Sequence, residues 1–358
     1  MRATGIGTFG RRSKMNLTGQ EPRTQTRFVV LGAGTMGAGI AQCLADHGRW
    51  VTMCDTDAEA LVRARERIAT SRQTLETAGL QTAEQSREGD QRLSTTTSLA
   101  DAVAAADLVI EAIPENLELK CRVFAELDRL APAHAALVSN TSGLSITRLG
   151  QSTNRPGQVA GFHWWNPAEL VPLVEVVSGE STDPQLVEQL LELATELGKQ
   201  PIHVRRDVPG FVGNRLQFAV FREALHLVAE GVVTPEDLDR AMTGGPGFRW
   251  SFLGPLQAAD FGGLDVFHSI ASYLWQDLGD ADSPPPLLDS MLQAGTLGTK
   301  SGKGFYDYTP ESLNNLTERR DRFLQGLKQL VDFTRSAPAS TADDDTATAK
   351  PQHRQPAA

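Results

Sequence analysis

Gly32-Ala33-Gly34-Thr35-Met36-Gly37 and the acid Asp55 carry the first chemistry legible in this sequence. In a Gly-x-Gly-x-x-Gly turn the first glycine permits a tight bend, the second lets the backbone approach a pyrophosphate, and the third lets the following helix pack closely. Gly32, Gly34 and Gly37 fill those places, and the anion would rest on the amides of a helix opening at Thr35 and Met36. Unpaired N–H groups and the helix dipole favour negative charge at that point. Asp55 follows at about the 20-residue distance at which such a unit places an acid on the adenosine ribose hydroxyls. An acid there repels a 2′-phosphate, and Thr56-Asp57-Ala58 offers no base to hold one, so the pattern selects NAD over NADP. Asp55 could instead do no more than cap the next helix; the spacing favours the ribose. FAD shares the fingerprint, but a helical second half gives a flavoprotein little support. A bound nicotinamide implies hydride transfer, hence oxidation or reduction of a hydroxyl or carbonyl group.

A lone glycine fingerprint is weak evidence, and its weight comes from the elements around it. Residues 28–31 are apolar and β-prone, and Met36, Ile40, Cys43 and Leu44 then recur at helical spacing over residues 35–47. Further strands are expected at 50–54, 108–113, 136–139, 159–163, 173–177 and 201–204, with helices at 58–80, 117–130 and 184–197. Strands that are nearly continuous runs of Val, Ile, Leu and Ala belong in a parallel sheet covered on both faces. The fold class is therefore α/β, a Rossmann-type doubly wound sheet. After Pro209-Gly210 the period turns helical throughout, so an all-helical C-terminal domain follows. The expected organisation is a disordered extension over residues 1–26, an NAD-binding domain over 27–208, a helical substrate and dimerisation domain over 209–308, a helix over 309–335, and a disordered tail over 336–358.

The chain has 358 residues, 40% hydrophobic and 22% charged, with a formal net charge of −10. Both nucleic-acid grooves and anionic membrane surfaces reward basic proteins, so neither is an expected partner and a small-molecule substrate is. No run of about 18 apolar residues suggests a membrane span. Cys43, Cys54 and Cys121 form no C-x-x-C pair, which points to a reducing, cytoplasmic setting. Residues 1–26 include Arg2, Arg11, Arg12, Lys14 and Arg23 and could pass for an organelle transit peptide, though a disordered extension is simpler. Neither an H-x-x-x-H pair nor a Cys/His cluster is present, so no metal site is expected.

Several segments together resemble the 3-hydroxyacyl-CoA dehydrogenase family: Pro114 to Lys120, Ser139-Asn140-Thr141-Ser142-Gly143-Leu144, His163-Trp164-Trp165-Asn166-Pro167, Leu173-Val174-Glu175-Val176, Pro209-Gly210-Phe211-Val212-Gly213-Asn214-Arg215 and Gly302-Lys303-Gly304-Phe305-Tyr306-Asp307. The likeness runs from about Arg27 to Tyr308. It implies that His163 is the acid–base group on the substrate hydroxyl and that Glu175 orients it. Imidazole suits that task, because its unperturbed pKa of about 6.5 serves both directions near neutral pH. Ser142 and Asn214 fall on the family's other two active-site positions, where hydrogen-bond donors hold the reacting oxygen. Each also has a bland alternative, Ser142 as a cap before Ile146 and Asn214 as a polar contact at a helix start. Glu115 and Lys120 fall on positions along the cofactor and substrate cleft, and the family forms homodimers through its helical domain.

The sequence departs from typical members in carrying Trp164 and Trp165 where two phenylalanines follow the histidine, and Gly143 where a second serine follows the first. Gly244-Gly245-Pro246-Gly247-Phe248-Arg249-Trp250 looks more like the carnitine and gulonate dehydrogenases, which act on free acids. Trp164, Trp165 and Arg249 are thus substrate-contact candidates. Arg249 could clasp a carboxylate with its planar fork, or pair with an acid such as Asp260 or Asp265. The expected activity is NAD-dependent oxidation of a 3-hydroxyacyl-CoA to the 3-oxo product. Oxidation of a free hydroxy acid is the second expectation, and a crystallin-like NAD-binding protein without turnover the third.

Overall fold

The computed structural model describes residues 26–336, so the expected N-terminal extension and C-terminal tail lie, but for Thr26 and Ser336, outside the described residues. Among the described residues eight strands form one sheet: β1 (Arg27–Leu31), β2 (Trp50–Cys54), β3 (Leu93–Thr96), β4 (Leu108–Glu111), β5 (Ala136–Ser139), β6 (Val159–Trp164), β7 (Leu173–Ser178) and β8 (Gln200–Val204). Their order across the sheet is β3-β2-β1-β4-β5-β6-β7-β8. Along β1, Phe28 and Val30 pack into one hydrophobic layer and Val29 and Leu31 into the other, because helices cover both faces. That double burial is why the strand is apolar at every position instead of alternating.

Every strand pairing is parallel except β6 with β7, which is antiparallel; β8 returns parallel to β7. The parallel sheet expected from the apolar runs is interrupted at that one step. A strand buried on both faces has the same apolar content whichever way it runs, so composition carries no sign of direction. β3 was not expected either: Leu93-Ser94-Thr95-Thr96 lies at the sheet edge and only Leu93 is buried.

Beyond Phe211 the described residues are helical, over Gly213–Ala229, Pro235–Gly244, Pro246–Trp250, Pro255–Gly262, Leu264–Leu274, Pro286–Gln293 and Pro310–Ser336. Among the described residues of this half, Leu225 is the one hydrophobic side chain that is buried. Among the described residues, no helix is long and apolar enough to cross a membrane.

Candidate active site

β1 delivers the chain into the glycine turn and the helix Thr35–Asp46 leaves it. Gly32 has φ +106°, a conformation side chains resist, and a Cβ there would lie 2.6 Å from the Ala112 carbonyl oxygen. A Cβ at Gly37 would come within 1.9 Å of the Gly32 carbonyl oxygen, so glycine is the only fit where helix and turn meet. At Gly34 a Cβ would meet nothing within 4 Å, and no side chain caps the helix that Gly34 opens. The amides around Thr35 and Met36 thus face open space, the cradle a pyrophosphate needs. Asp55, at the end of β2, accepts from Ala33 N–H at 2.7 Å and from Asp57 N–H at 3.0 Å. Asp57, not Asp55, caps the following helix through Glu59 N–H.

The antiparallel step puts His163 of β6 directly opposite Glu175 of β7. Their side chains meet at 2.7 Å between Nδ1 and Oε2, with His163 4% exposed and Glu175 0%. Cross-strand partners sit about 4.5–5.5 Å apart at Cβ, the separation a His–carboxylate bond spans without strain. Trp165 Nε1–H also donates to Oε2 at 3.3 Å, and the Val212 and Gly213 amides donate to Oε1 at 3.0 Å each. Burial pushes the Glu175 carboxyl up, but hydrogen bonds from His163, Gly213 and Val212 outweigh it and hold the group below its usual range. With Nδ1 held by a carboxylate, the neutral ring carries its proton there and Nε2 is the atom free to exchange one. The ring sits between Trp165 and Phe211, at centroid distances of 5.4 Å and 5.8 Å.

Phe211 is a buried phenylalanine with φ 50°, following Gly210 at φ 75°. A bulky residue in the left-handed region costs on the order of 1–3 kcal/mol and persists where its surroundings dictate it. Here the two left-handed residues bend the chain so that the helix Gly213–Ala229 begins against Glu175. In the sequence, Phe211 is marked only by its place after Pro209-Gly210.

Asn214 Nδ2 donates to the Ser142 carbonyl oxygen at 2.8 Å, which draws the loop after β5 to the start of that helix. The Ser142 residue is exposed, and the helix Ile146–Gln151 is capped by Ser145, so Ser142 is no cap. Gly143 lies so close to the same turn that a Cβ would stand 2.8 Å from the Gly210 nitrogen, a reason for glycine where serine was anticipated. Glu115 accepts from Thr141 Oγ1–H at 2.5 Å and Ser142 N–H at 2.9 Å, fastening the loop from below.

One candidate is corrected, Trp164. Lys120 is 1% exposed and donates to Glu111 Oε1 at 2.5 Å and to the Ile113 carbonyl oxygen at 3.0 Å, with Glu115 Oε2 3.4 Å away. Trp164 points away from His163, because successive strand residues face opposite ways, and lies in the core edge-on to Phe162 with the Lys199 ammonium 5.3 Å over its ring. Trp165, beyond the strand, stays at the site. Arg249 is exposed on the helix Pro246–Trp250 and pairs with neither Asp260 nor Asp265 among the described residues.

Residues 27–208 match the description 3-hydroxyacyl-CoA dehydrogenase, NAD binding domain, and residues 210–308 match that family's C-terminal domain. The chain belongs to the 3-hydroxyacyl-CoA dehydrogenase family. Like the members named below it is a dehydrogenase, and its cofactor is NAD. It is 37% identical over 305 residues to a 5-formyl-3-hydroxy-2-methylpyridine 4-carboxylate 5-dehydrogenase of Mesorhizobium japonicum, covering 85% of this chain and 98% of the relative. It is 42% identical over 283 residues to a probable 3-hydroxybutyryl-CoA dehydrogenase of Bacillus subtilis, covering 79% and 97%. A solved structure of a 5-formyl-3-hydroxy-2-methylpyridine 4-carboxylic acid 5-dehydrogenase, described as an NAD+ dependent dismutase, superposes with a TM-score of 0.81 at 37% identity, covering 86% of this chain and 99% of that one. Family members of this kind thus include both thioester and free-carboxylate enzymes by name.

Proposed function

We propose that the protein oxidises the hydroxyl group of a 3-hydroxyacyl-CoA to the 3-oxo product, reversibly, with His163 as the acid–base group. The observation that carries this is the buried His163–Glu175 pair with Nε2 left for the substrate. NAD, held by the Gly32–Gly37 turn and Asp55, supplies the hydride acceptor. His163 Nε2 takes the hydroxyl proton as the carbinol carbon is oxidised, and the imidazolium so formed is stabilised by the Glu175 carboxylate. Ser142 and Asn214 hold the substrate oxygen, donating as its charge changes. Trp165 and Phe211 pack the imidazole and keep water from it. The free thiols of Cys43, Cys54 and Cys121 fit a cytoplasmic protein, and the apolar helical half fits a homodimer.

A free hydroxy acid is the second substrate class, favoured by the exposed, unpaired Arg249 and by the name of the Mesorhizobium relative. NADH formation at alkaline pH with 3-hydroxybutyryl-CoA, carnitine, gulonate and a hydroxymethylpyridine carboxylate separates the two, and turnover of the free acids alone would overturn the thioester assignment. His163→Ala should lower kcat by about 10²–10⁴ while NADH binding, followed by fluorescence, is kept. Wild-type turnover in that variant would sink the mechanism.

A further inference from the structure

The buried carboxylate of Glu175 receives two donors on each of its oxygens. Oε1 accepts the Val212 and Gly213 amides at 3.0 Å each, both fixed by the opening turn of the helix Gly213–Ala229. Oε2 accepts His163 Nδ1 at 2.7 Å and, on the same atom, Trp165 Nε1–H at 3.3 Å. The indole is held for this contact, since its ring lies against Gly213 and 5.4 Å from the imidazole centroid. An indole N–H is a donor only, and phenylalanine, the residue anticipated at this place, has no hydrogen to give.

A donor shared with the histidine changes what Oε2 can do. The neutral imidazole needs from it an acceptor for Nδ1–H, whereas the imidazolium needs its negative charge. A further N–H on that oxygen draws off part of the charge, so it costs the imidazolium more than the neutral ring. Among the described residues, the charged groups of the neighbouring elements are engaged elsewhere. Lys199 lies over Trp164, on the face of β6 away from His163. His203 of β8 bonds the Ser178 hydroxyl, and Arg215 donates to the Pro209 carbonyl oxygen at 3.5 Å. Glu111 and Lys120 pair with each other, and Glu115 accepts from Thr141 and the Ser142 amide. The balance between the two forms of the ring is therefore set among His163, Glu175 and Trp165.

We propose that Trp165 is a positioning residue that sets the pH range of the reaction: by sharing Glu175 Oε2 with His163 it keeps the imidazole a free base further into acid than a phenyl group at the same place would. This rests on the acid–base role proposed for His163 above. Oxidation starts from the neutral ring and reduction from the protonated one. Removing the shared donor lets Oε2 hold the imidazolium more firmly, so the ring takes up its proton at higher pH. The acid limb of the oxidation profile and the alkaline limb of the reduction profile then move up together.

The test is Trp165→3-benzothienylalanine, introduced at an amber codon in the full-length chain, because sulfur there replaces the indole N–H in a ring system of nearly the same shape. Trp165→Phe, which also lacks the donor, is measured beside it. The His163 ring is titrated by NMR in protein carrying ¹³Cε1-histidine, its signal assigned as the one lost in His163→Ala. In parallel, kcat/KM is followed against pH in both directions with the substrate that is turned over. The expected result is an upward move of about 0.5–1 pH unit in the ring titration and in both limbs, in both variants. An unchanged ring titration would overturn the proposal, whatever either variant does to kcat, since loss of shape alone lowers a rate without moving a titration. A ring titration that moves while both limbs stay in place would fail His163 as the reacting base and leave the effect of the shared donor on the ring standing.

Discussion

A buried carboxylate is costly unless donors satisfy it, and Glu175 has four, from His163, Trp165, Val212 and Gly213. Glu175→Gln keeps the volume but removes the charge that stabilises an imidazolium, so kcat should fall by about 10²–10⁴ with the KM for NAD unchanged in steady-state kinetics. Trp165→Phe withdraws one long hydrogen bond and leaves three, and a loss of less than about tenfold in kcat is expected. Asp55→Ala should erode the preference for NAD over NADP by removing the repulsion of a 2′-phosphate, measured as the ratio of the two kcat/KM values. At this scale the sequence was informative about which residues matter and less so about where they face. His163 and Glu175 could be named from motifs, and the structure sets them across one ladder rung. Trp164 was misplaced because a residue's type says nothing of which side of a strand it occupies until the register is known.

The elements behind the site are held by a second buried charge pair, Lys120 with Glu111, joined by the Ser139 hydroxyl at 2.5 Å from Glu111 Oε2. This links β4, β5 and the helix Leu117–Leu130 under the loop that carries Ser142. Lys120→Ala would leave the buried Glu111 without its cation, at a cost of about 3–5 kcal/mol in denaturant unfolding. Lys120→Met with Glu111→Leu should recover most of that loss, and if the double variant were no more stable than Lys120→Ala the pair would not be the cause. The strands with apolar runs were legible because double burial writes itself into composition. The helix Ala83–Arg92 was overlooked for lack of apolar residues, although Thr82 and Gln85 form a capping box that a search for Thr-x-x-Gln would have found. The antiparallel direction of β7, on which the His–Glu pairing depends, had no signature at all.

Over the whole molecule, two carboxylates tie stability to pH. Burial raises Glu175 and Asp128, but hydrogen bonds, to His163 and two amides in one case and to Asn154 and Arg155 in the other, leave both depressed. A group whose folded pKa lies below its unfolded value stabilises the fold above the unfolded value and loses that contribution as pH falls through the folded one. The unfolded references are 4.5 and 3.8, so melting temperature should decline as acid is added below that range, followed by circular dichroism. If a second copy supplies the missing interior of the helical half, the same melting temperature should also rise with protein concentration. A flat concentration series at dimer-dissociating dilutions would speak against it. The change from sheet to helices was plain in the hydrophobic period, whereas the want of a core within the helical half was not, because the period shows that a face is apolar and is silent on what covers it.

The two halves of the molecule touch where Trp165 meets the first turn of helix Gly213–Ala229, and a Cβ at Gly213 would fall 2.3 Å from Trp165 Cζ2. The order in which these positions can change is therefore fixed. Gly213→Ala is barred while the indole is in place, and becomes admissible only after position 165 has shrunk. A path of substitutions through both positions is therefore ordered: the tryptophan gives way first, and an alanine then fixed at 213 would meet any indole restored at 165.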